Sequence, residues 1–490
     1  MKKRQYFGTD GIRGRVGRHP LVPDFALKLG YAAGSVLALS SKTRPTFVIG
    51  RDTRQSGQML QSALTGGMLA SGATVINLGV ITTPGVAFMV KKLGADAGVV
   101  ISASHNPVDE NGIKFFNLEG KKLGEDVELA IEALINSEML LESMHSGDYG
   151  RSIDGSDMRE LYVDDLVDEH NGLRLDKLTI VLDCANGAAS WYAPECFSRL
   201  GANVVTINAS PTGTNINNEA GSEHVRSYPK DMAALINRHG ADFGIVFDGD
   251  ADRVIFVDEK GDLVDGDHML AILANYLSKQ GRLLGHAVVS TNMANGALAS
   301  YFVKRGIQFI ETPVGDKYIT EALVKLRAKE ADPSKLGLGG EQSGHIILMD
   351  GEHNTGDGIR TALYMIRAYL DSRDSSLAAL AESIHKYPQV IASAYVENKP
   401  DLKKIEALKE MTAAIKADLP GLTRMNLRYS GTEPKFRLML EADTRHTVHE
   451  LAEKAWGVCR IVQEASHTEN DAAVEVLNVT SGGLLDRLGT

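Results

Sequence analysis

Between residues 46 and 310 the chain repeats one pattern three times: a short apolar run, a polar or glycine-rich loop, a helix-like stretch, a glycine and a second apolar run. The first copy has Thr46, Phe47, Val48 and Ile49, a loop over 50–57, then Gly72 followed by Thr74, Val75 and Ile76. The second runs from 178–182 through the loop 183–188 to Gly201 and 203–205, and the third from 287–290 through 291–296 to Gly306 and 307–310. Each spacing leaves room for one crossover helix, so each copy predicts a βαβ unit. The runs are continuous in Val, Ile and Leu instead of alternating, which suits strands buried on both faces of a largely parallel sheet. Such units also occur in α/β proteins that carry no internal repeat.

After Asp357 a helix-like segment passes through Tyr364 and Ile366 to Leu370, and the polar stretch 371–376 reads as a linker. The pattern then changes to strand-like 390–392, a lysine- and leucine-rich helix from about 403, strand-like 436–440 and a helix around Trp456. That order predicts a smaller α+β fourth domain. From Ser466 onward the chain turns polar with a weak hydrophobic signal, as in a flexible tail. The expected boundaries are 1–155, 156–257, 258–372 and 373–465, with the tail over 466–490.

Length agrees with this division, since 490 residues at about 150 per domain make three or four domains. Hydrophobic residues at 43% and charged residues at 23% exclude collagen-like, coiled-coil and largely disordered classes. The charge sum, 52 minus 63, is -11, so the global field disfavours nucleic acid and anionic membranes. An anionic ligand would need a local basic site. Cys184, Cys196 and Cys459 lie far apart without a CxxC pair, so neither a disulfide framework nor a zinc-cysteine site is expected, and a cytoplasmic location is. The charged start 1–6 leads into no apolar stretch, so no secretory signal is expected, and no run approaches the ~18 apolar residues of a membrane helix.

Chemistry concentrates in five loops. Asp248-Gly249-Asp250-Ala251-Asp252-Arg253 follows the apolar run 243–247. Three carboxylates at alternate positions repel one another unless a cation neutralises them, and a hard divalent ion, Mg²⁺ before Ca²⁺, suits oxygen ligands. An EF-hand fails here because its sixth position needs glycine and holds Arg253. Ser102-Ala103-Ser104-His105-Asn106-Pro107 follows 98–101, with Lys114 close behind; without the GxSxG elbow, the serine is either a turn residue or a nucleophile. The cluster 339–345, containing Glu341, Gln342, Ser343 and His345, is either a polar turn or a set of donors and acceptors for a polyhydroxylated ligand. Arg428-Tyr429-Ser430-Gly431-Thr432-Glu433-Pro434, with Arg437 beyond, offers glycine, hydroxyls and guanidinium for a phosphate. The glycine-spaced loop 7–14 carries Arg13 with no evident partner, and Arg51-Asp52-Thr53-Arg54 reads as a salt-bridged surface turn.

Together FGTDGIRG, SASHNP, DGDADR, GEQSGH and RYSGTEP resemble the α-D-phosphohexomutase family, in that family's order and over residues 4–465. The resemblance implies an α/β architecture: three βαβ-type domains with mixed, mostly parallel sheets and a smaller α+β C-terminal domain, each giving one loop to a central cleft. It implies that Ser104 is the phosphorylated serine and that Asp248, Asp250 and Asp252 bind one Mg²⁺ together with an oxygen of phosphorylated Ser104. It further implies that Glu341, Ser343 and His345, with Gln342 in the same loop, contact the sugar, and that Arg428, Ser430, Gly431 and Thr432, with Arg437 nearby, hold the non-reacting phosphate. A phosphoserine of about -1.5 to -2 beside three aspartates demands cations, for which Arg13, Lys114 and Arg253 are placed; Arg13, Lys114 and His345 are the candidate proton carriers, and His105 adjoins the serine.

Glutamine at 342 is similar to the glucosamine-phosphate enzymes of the family, whereas phosphomannomutase/phosphoglucomutases usually carry methionine. The opening FGTDGIRG and residues 214–217 and 221–222 point the same way. The implied reaction interconverts glucosamine 6-phosphate and glucosamine 1-phosphate through glucosamine 1,6-bisphosphate, feeding UDP-N-acetylglucosamine synthesis. The nearest alternative is phosphomannomutase/phosphoglucomutase activity; remoter ones are a metal-dependent phosphatase and a non-enzymatic phosphosugar-binding protein. Expected partners are a small phosphosugar, no nucleic acid and no membrane, in a monomer or homodimer. Two positions depart from the pattern: Ala220 stands where many relatives have cysteine, and Lys317 where arginine is usual, which keeps the charge but loses the bidentate fork.

Overall fold

The computed structural model describes residues 4–8, 10–38, 44–137, 148–330, 332–372, 376–430, 434–468 and 473–486. Four sheets mark four domains. In the first, six strands lie in the order Ile12–Arg15, Glu110–Asn117, Ala97–Ile101, Thr46–Arg51, Thr74–Val80 and Ser152–Asp154. The second has Leu263–Val264, Val254–Val257, Phe243–Phe247, Thr179–Asp183 and Asn203–Ile207; the third has Gln308–Thr312, Leu283–Thr291, Leu336–Gly340 and Ile346–Met349. The three expected βαβ units are present: Thr46–Arg51 pairs parallel with Thr74–Val80, Thr179–Asp183 with Asn203–Ile207, and Leu283–Thr291 with Gln308–Thr312. Central strands such as Ala97–Ile101 and Phe243–Phe247 are buried at every position, as continuous apolar runs require.

Each of these sheets also carries an antiparallel pair that the repeat did not announce. Ala97–Ile101 turns back as Glu110–Asn117, Phe243–Phe247 as Val254–Val257, and Leu336–Gly340 as Ile346–Met349. The fourth sheet is wholly antiparallel, in the order Leu422–Tyr429, Lys435–Ala442, Gln389–Tyr395 and Val474–Asn478. Helices Glu406–Asp418 and Val448–Ala465 accompany it. The second opens on a capping box in which Thr447 and Glu450 satisfy each other's backbone N–H groups.

The flexible tail expected over 466–490 is corrected by the strand Val474–Asn478, which pairs antiparallel with Gln389–Tyr395. Val476 and Asn478 are buried, Leu477 between them is half-buried, and Glu475 faces solvent. A five-residue edge strand with only alternate positions inward leaves a hydrophobic signal too thin to separate from a tail. In the expected linker, residues 373–375 lie outside the described residues, and Ser376 caps the short helix Leu377–Ala381.

One buried apolar cluster runs through the first three domains, joining Val48, Leu182, Phe247 and Leu338, and takes in Leu380 from beyond the expected boundary at 372. The fourth domain has its own, built on Val390, Leu438, Trp456 and Val476. Three domains thus share one core and form a platform against which a separately cored domain is held by local contacts. No helix among the described residues is long and apolar enough to cross a membrane.

Candidate active site

The antiparallel pairs explain where the chemistry sits, because three of the motifs are the connection between two hydrogen-bonded strands. Residues 102–109, 248–253 and 341–345 join the pairs just described in domains one to three, and Arg428 lies in the paired strand Leu422–Tyr429 of the fourth. A short connection anchored by a strand at both ends has little freedom, so its side chains are aimed by the sheet.

Ser104 is buried and takes a left-handed backbone, φ 54°, uncommon for a residue with a Cβ and strained unless its surroundings enforce it. Its backbone N–H donates to Ser102 Oγ at 2.9 Å, and Ser102 Oγ donates to Asp52 Oδ2 at 2.7 Å. Its carbonyl accepts from Arg54 Nη2 at 3.1 Å and Asn217 Nδ2 at 2.8 Å; both donors also bond the carbonyl of Asn106, at 2.7 and 3.0 Å. Arg54 is fully buried, so Arg51 to Arg54 is no surface turn. The serine Oγ donates to Asp248 Oδ2 at 2.5 Å, and His105 Nδ1 lies 3.5 Å from it. Burial, with Arg253 next, pushes His105 down to about 3, so its imidazole is neutral.

Asp248, Asp250 and Asp252 are all buried, each offering a carboxylate oxygen within 4.8 Å of the others. Left-handed Ala251, φ 56°, turns the loop between them. Burial, then Asp252 and Asp250, holds Asp248 well above the usual carboxylate range. Burial pushes Asp252 upward too, but Lys114, His345 and Arg253 outweigh it and hold the group low. Lys114, itself buried, supplies the counter-charge at 2.8 Å from Asp250, 3.3 Å from Asp252 and 3.5 Å from Asp10. Thr83 donates its hydroxyl to Asp250 Oδ2 at 2.7 Å from the first turn of Thr83–Lys92. Even so, Asp250 Oδ1 and Asp252 Oδ1 are buried without a hydrogen-bond partner. Two anionic oxygens without a hydrogen bond beside a third carboxylate fit a hard divalent cation.

Arg13 has a partner after all: it pairs with Asp10 of its own loop, and Asp10 also accepts from Lys122. Arg253 donates its backbone N–H to Asp248 at 3.2 Å and pairs with Glu223 at 3.3 Å. His345 lies between Asp252 and Asp316, 3.6 Å from each, and although burial lowers its pKa these carboxylates raise it to about 9. Gly356 packs on its ring, where a Cβ would stand 2.4 Å from Cε1. The buried Ser343 Oγ has no hydrogen-bond partner. Glu341 is close enough to act electrostatically on both Arg253 and Arg428.

Gln342 is not with them. It is buried, and its amide nitrogen donates to Asp267 Oδ2 at 2.7 Å and Gln389 Oε1 at 2.8 Å, so the expectation that this side chain meets a sugar is corrected: it ties the loop to the fourth domain. In that domain Arg428 and Arg437 are cross-strand partners. Burial, then Arg437, lowers the Arg428 pKa. Ser430 is buried at the end of the same strand, and its carbonyl accepts from Lys399 Nζ at 2.7 Å. Gly431 and Thr432 lie outside the described residues. Arg54, Thr83, Glu223 and Asp316 were missed from sequence, because each comes from a segment whose own pattern reads as a turn or helix start. Asn217 stood in a quoted motif without a role.

Four domains whose connecting loops gather a serine, three carboxylates and a ring of cations define a phosphosugar phosphotransferase of the mutase class. Models of phosphoglucomutase/phosphomannomutase α/β/α domains I, II and III match residues 4–142, 160–261 and 265–387, and that of the C-terminal domain matches 392–456. The chain belongs to the phosphoglucomutase/phosphomannomutase family. It is 44% identical over 469 residues to a phosphoglucosamine mutase of Methylobacillus flagellatus, covering 94% of this chain and 99% of that protein. It is 43% identical over 463 residues to one of Geobacillus kaustophilus, covering 93% and 98%. A phosphoglucomutase/phosphomannomutase family protein of Burkholderia thailandensis shares the fold at TM-score 0.73 and 23% identity, covering 96% of this chain and 100% of that one. Aspergillus fumigatus N-acetylphosphoglucosamine mutase, in complex with GlcNAc-6P and magnesium, does so at 0.63 and 18%, covering 95% and 96%.

Proposed function

We propose that this enzyme is a phosphoglucosamine mutase, an isomerase that interconverts glucosamine 6-phosphate and glucosamine 1-phosphate by phosphoryl transfer through Ser104. The observation that carries the reading is Ser104 Oγ held 2.5 Å from Asp248 at the edge of a buried three-carboxylate cluster faced by Lys114. The names of relatives 41–44% identical over more than nine-tenths of the chain support the sugar.

In this reading phosphorylated Ser104 gives its phosphoryl group to one hydroxyl of the bound sugar phosphate, producing a 1,6-bisphosphate. The bisphosphate turns over, and its other phosphate returns to Ser104. Asp248, Asp250 and Asp252 hold Mg²⁺, which neutralises carboxylate charge and polarises the phosphoryl oxygens when bound. Arg54 and Asn217 fix the serine's carbonyl, so the oxygen that carries the phosphate does not wander. Lys114, Arg13 and Arg253 offset the charge that gathers on the transferred group. Ser343 and Glu341 bind sugar hydroxyls, His345 stays cationic between its carboxylates, and Arg428, Ser430, Gly431, Thr432 and Arg437 hold the phosphate that does not react. We place the enzyme in the cytoplasm.

Intact mass and site mapping of the purified protein are expected to find phosphate on Ser104. Ser104→Ala is expected to abolish mutase turnover with a bisphosphate activator present; wild-type turnover in that variant overturns the reading. Glucosamine 6-phosphate is expected to give a higher kcat/KM than the glucose or mannose esters, and a preference for mannose reassigns the substrate.

A further inference from the structure

The family's C-terminal model ends at residue 456, yet the chain goes on to build a turn that the reaction chemistry does not use. After Val474–Asn478 the backbone folds around Asn478, whose Oδ1 accepts from the N–H groups of Thr480 at 3.0 Å and Ser481 at 3.4 Å. The Asn478 N–H donates to the Gly483 carbonyl at 2.9 Å. Gly482 and Gly483 take φ of 83° and 96°, a conformation that favours glycine.

This turn leaves its own domain. Gly483 N donates to the Arg226 carbonyl at 2.8 Å and Leu484 N to the Ser227 carbonyl at 3.2 Å, at the last turn of helix Gly221–Ser227 in the second domain. A Cβ on Gly482 would stand 2.1 Å from Leu263 Cδ1, so the turn also presses on the strand Leu263–Val264. The chain then returns, Leu485 N donating to the Val476 carbonyl at 2.8 Å. At its root the Val479 carbonyl accepts from Lys386 Nζ at 3.1 Å, and the same ammonium bonds Asp265 at 2.5 Å.

The helix it grips leads into the site. Arg226 pairs with Glu223 at 3.3 Å and Glu223 with Arg253 of the carboxylate loop at 3.3 Å. Among the described residues the fourth domain's apolar cluster is separate from that of the platform, so polar contacts, these among them, hold it over the cleft.

We propose that residues 479–485 are a strap that holds the fourth domain against the second, setting how closely Arg428 and Arg437 approach the cleft. The proposal rests on the mutase reading for its consequence: an enzyme whose bisphosphate must turn over between two transfers loses it whenever the fourth domain swings away. A strap of two backbone hydrogen bonds and one glycine contact resists opening yet yields often enough to admit substrate.

Deletion of 481–490 keeps the strand Val474–Asn478 and the Lys386 contact while removing the grip on the second domain. Solution X-ray scattering of the free enzyme is expected to give a larger radius of gyration for the shortened chain than for the full one. The glucose 1,6-bisphosphate concentration giving half-maximal activity is expected to rise about fivefold, because intermediate escapes more often. An unchanged radius of gyration overturns the proposal. In the full chain, Ser227→Cys with Leu484→Cys is expected to cross-link under mild oxidation, the three native cysteines being buried. The oxidised form is expected to turn over about tenfold more slowly than the same protein after reduction. A pair that does not cross-link, or a cross-linked enzyme as fast as the reduced one, overturns the strap. Scattering and cross-linking do not depend on the substrate, so a wrong sugar or reaction would leave them intact.

Discussion

Arg54 shows how much of this site is carried by a residue that acts through the backbone of its neighbours. Its guanidinium is fully buried and bonds two carbonyls of the serine loop, which holds Ser104 in its left-handed backbone. Both bonds leave the one nitrogen Nη2, and lysine keeps the charge on a flexible stem but loses the planar group that holds this nitrogen between the two carbonyls. Arg54→Lys is therefore expected to lower kcat by about 10- to 100-fold while KM changes little, since the serine and not the sugar is displaced; steady-state kinetics on glucosamine 6-phosphate checks the split. The carboxylate cluster makes a second residue-level prediction. Asp250 Oδ1 and Asp252 Oδ1 are buried without a hydrogen bond, so Mg²⁺ at about 100-fold its Kd should stabilise the fold by about 2.7 kcal/mol. Urea midpoints with and without chelator measure it, and Asp250→Asn should shrink the difference. At this scale the alternate aspartates announce a cation by their type, whereas the serine took its proposed role only from the family resemblance. Arg54 looked like a turn residue because nothing local tells a buried arginine from an exposed one.

Among elements, the recurring device is a loop pinned between antiparallel strands, and Gln342 shows what such a loop does with its second face. Its neighbours Glu341 and Ser343 stay with the cleft while its own amide crosses to Asp267 and to Gln389 at the start of Gln389–Tyr395. Gln389 in turn donates to Glu441 at 3.2 Å, and Glu441 accepts from Gly296 N at 2.9 Å. A chain of buried polar groups therefore spans the junction of the third and fourth domains. Gln342→Met removes two of its bonds and leaves Asp267, whose Oδ1 already lacks a partner, less satisfied. The expected cost is about 1–3 kcal/mol in chemical denaturation. The ratio of kcat/KM between glucosamine and mannose 6-phosphates is expected to move by less than about threefold, the amide being engaged elsewhere. A large change in that ratio with unchanged stability would place the glutamine at the sugar after all.

Over the whole molecule, the first three domains are riveted by a buried charge network as well as by their shared core. Arg360 pairs with Glu169 at 2.5 Å and Asp350 at 2.5 Å, and His353 sits between Asp350 and Asp165 at 3.0 Å from each. The His353 ring stacks on Phe88 of the first domain, centroids 5.7 Å apart. Burial and Arg360 lower the pKa of this histidine, but the two carboxylates prevail and raise it to about 9 from 6.5. A group whose folded pKa is raised contributes stability that is complete below the unfolded value and is lost as pH rises through the folded one. Stability should accordingly fall by up to about 3 kcal/mol between pH 6.5 and pH 9 from this site. Urea midpoints across that window test it, and His353→Gln should flatten the slope relative to the native chain.

How the sequence and the fold divide the account follows from the range of the forces involved. Strand and helix periodicity, the run-loop-helix repeat and the composition of the five loops are local, so residue order pointed to the α/β class and to several domains, and through the family resemblance to Ser104 with Asp248, Asp250 and Asp252 as the proposed chemical centre. Burial and charge pairing act between residues far apart in the chain, and only the tertiary structure decided those. It brought Arg54 and Asn217 to the serine, made Asp10 the partner of Arg13, and turned Gln342 from the sugar toward the fourth domain. It also made a strand of residues 474–478. An edge strand that borrows its hydrogen bonds and its core from elsewhere leaves almost no trace in its own sequence.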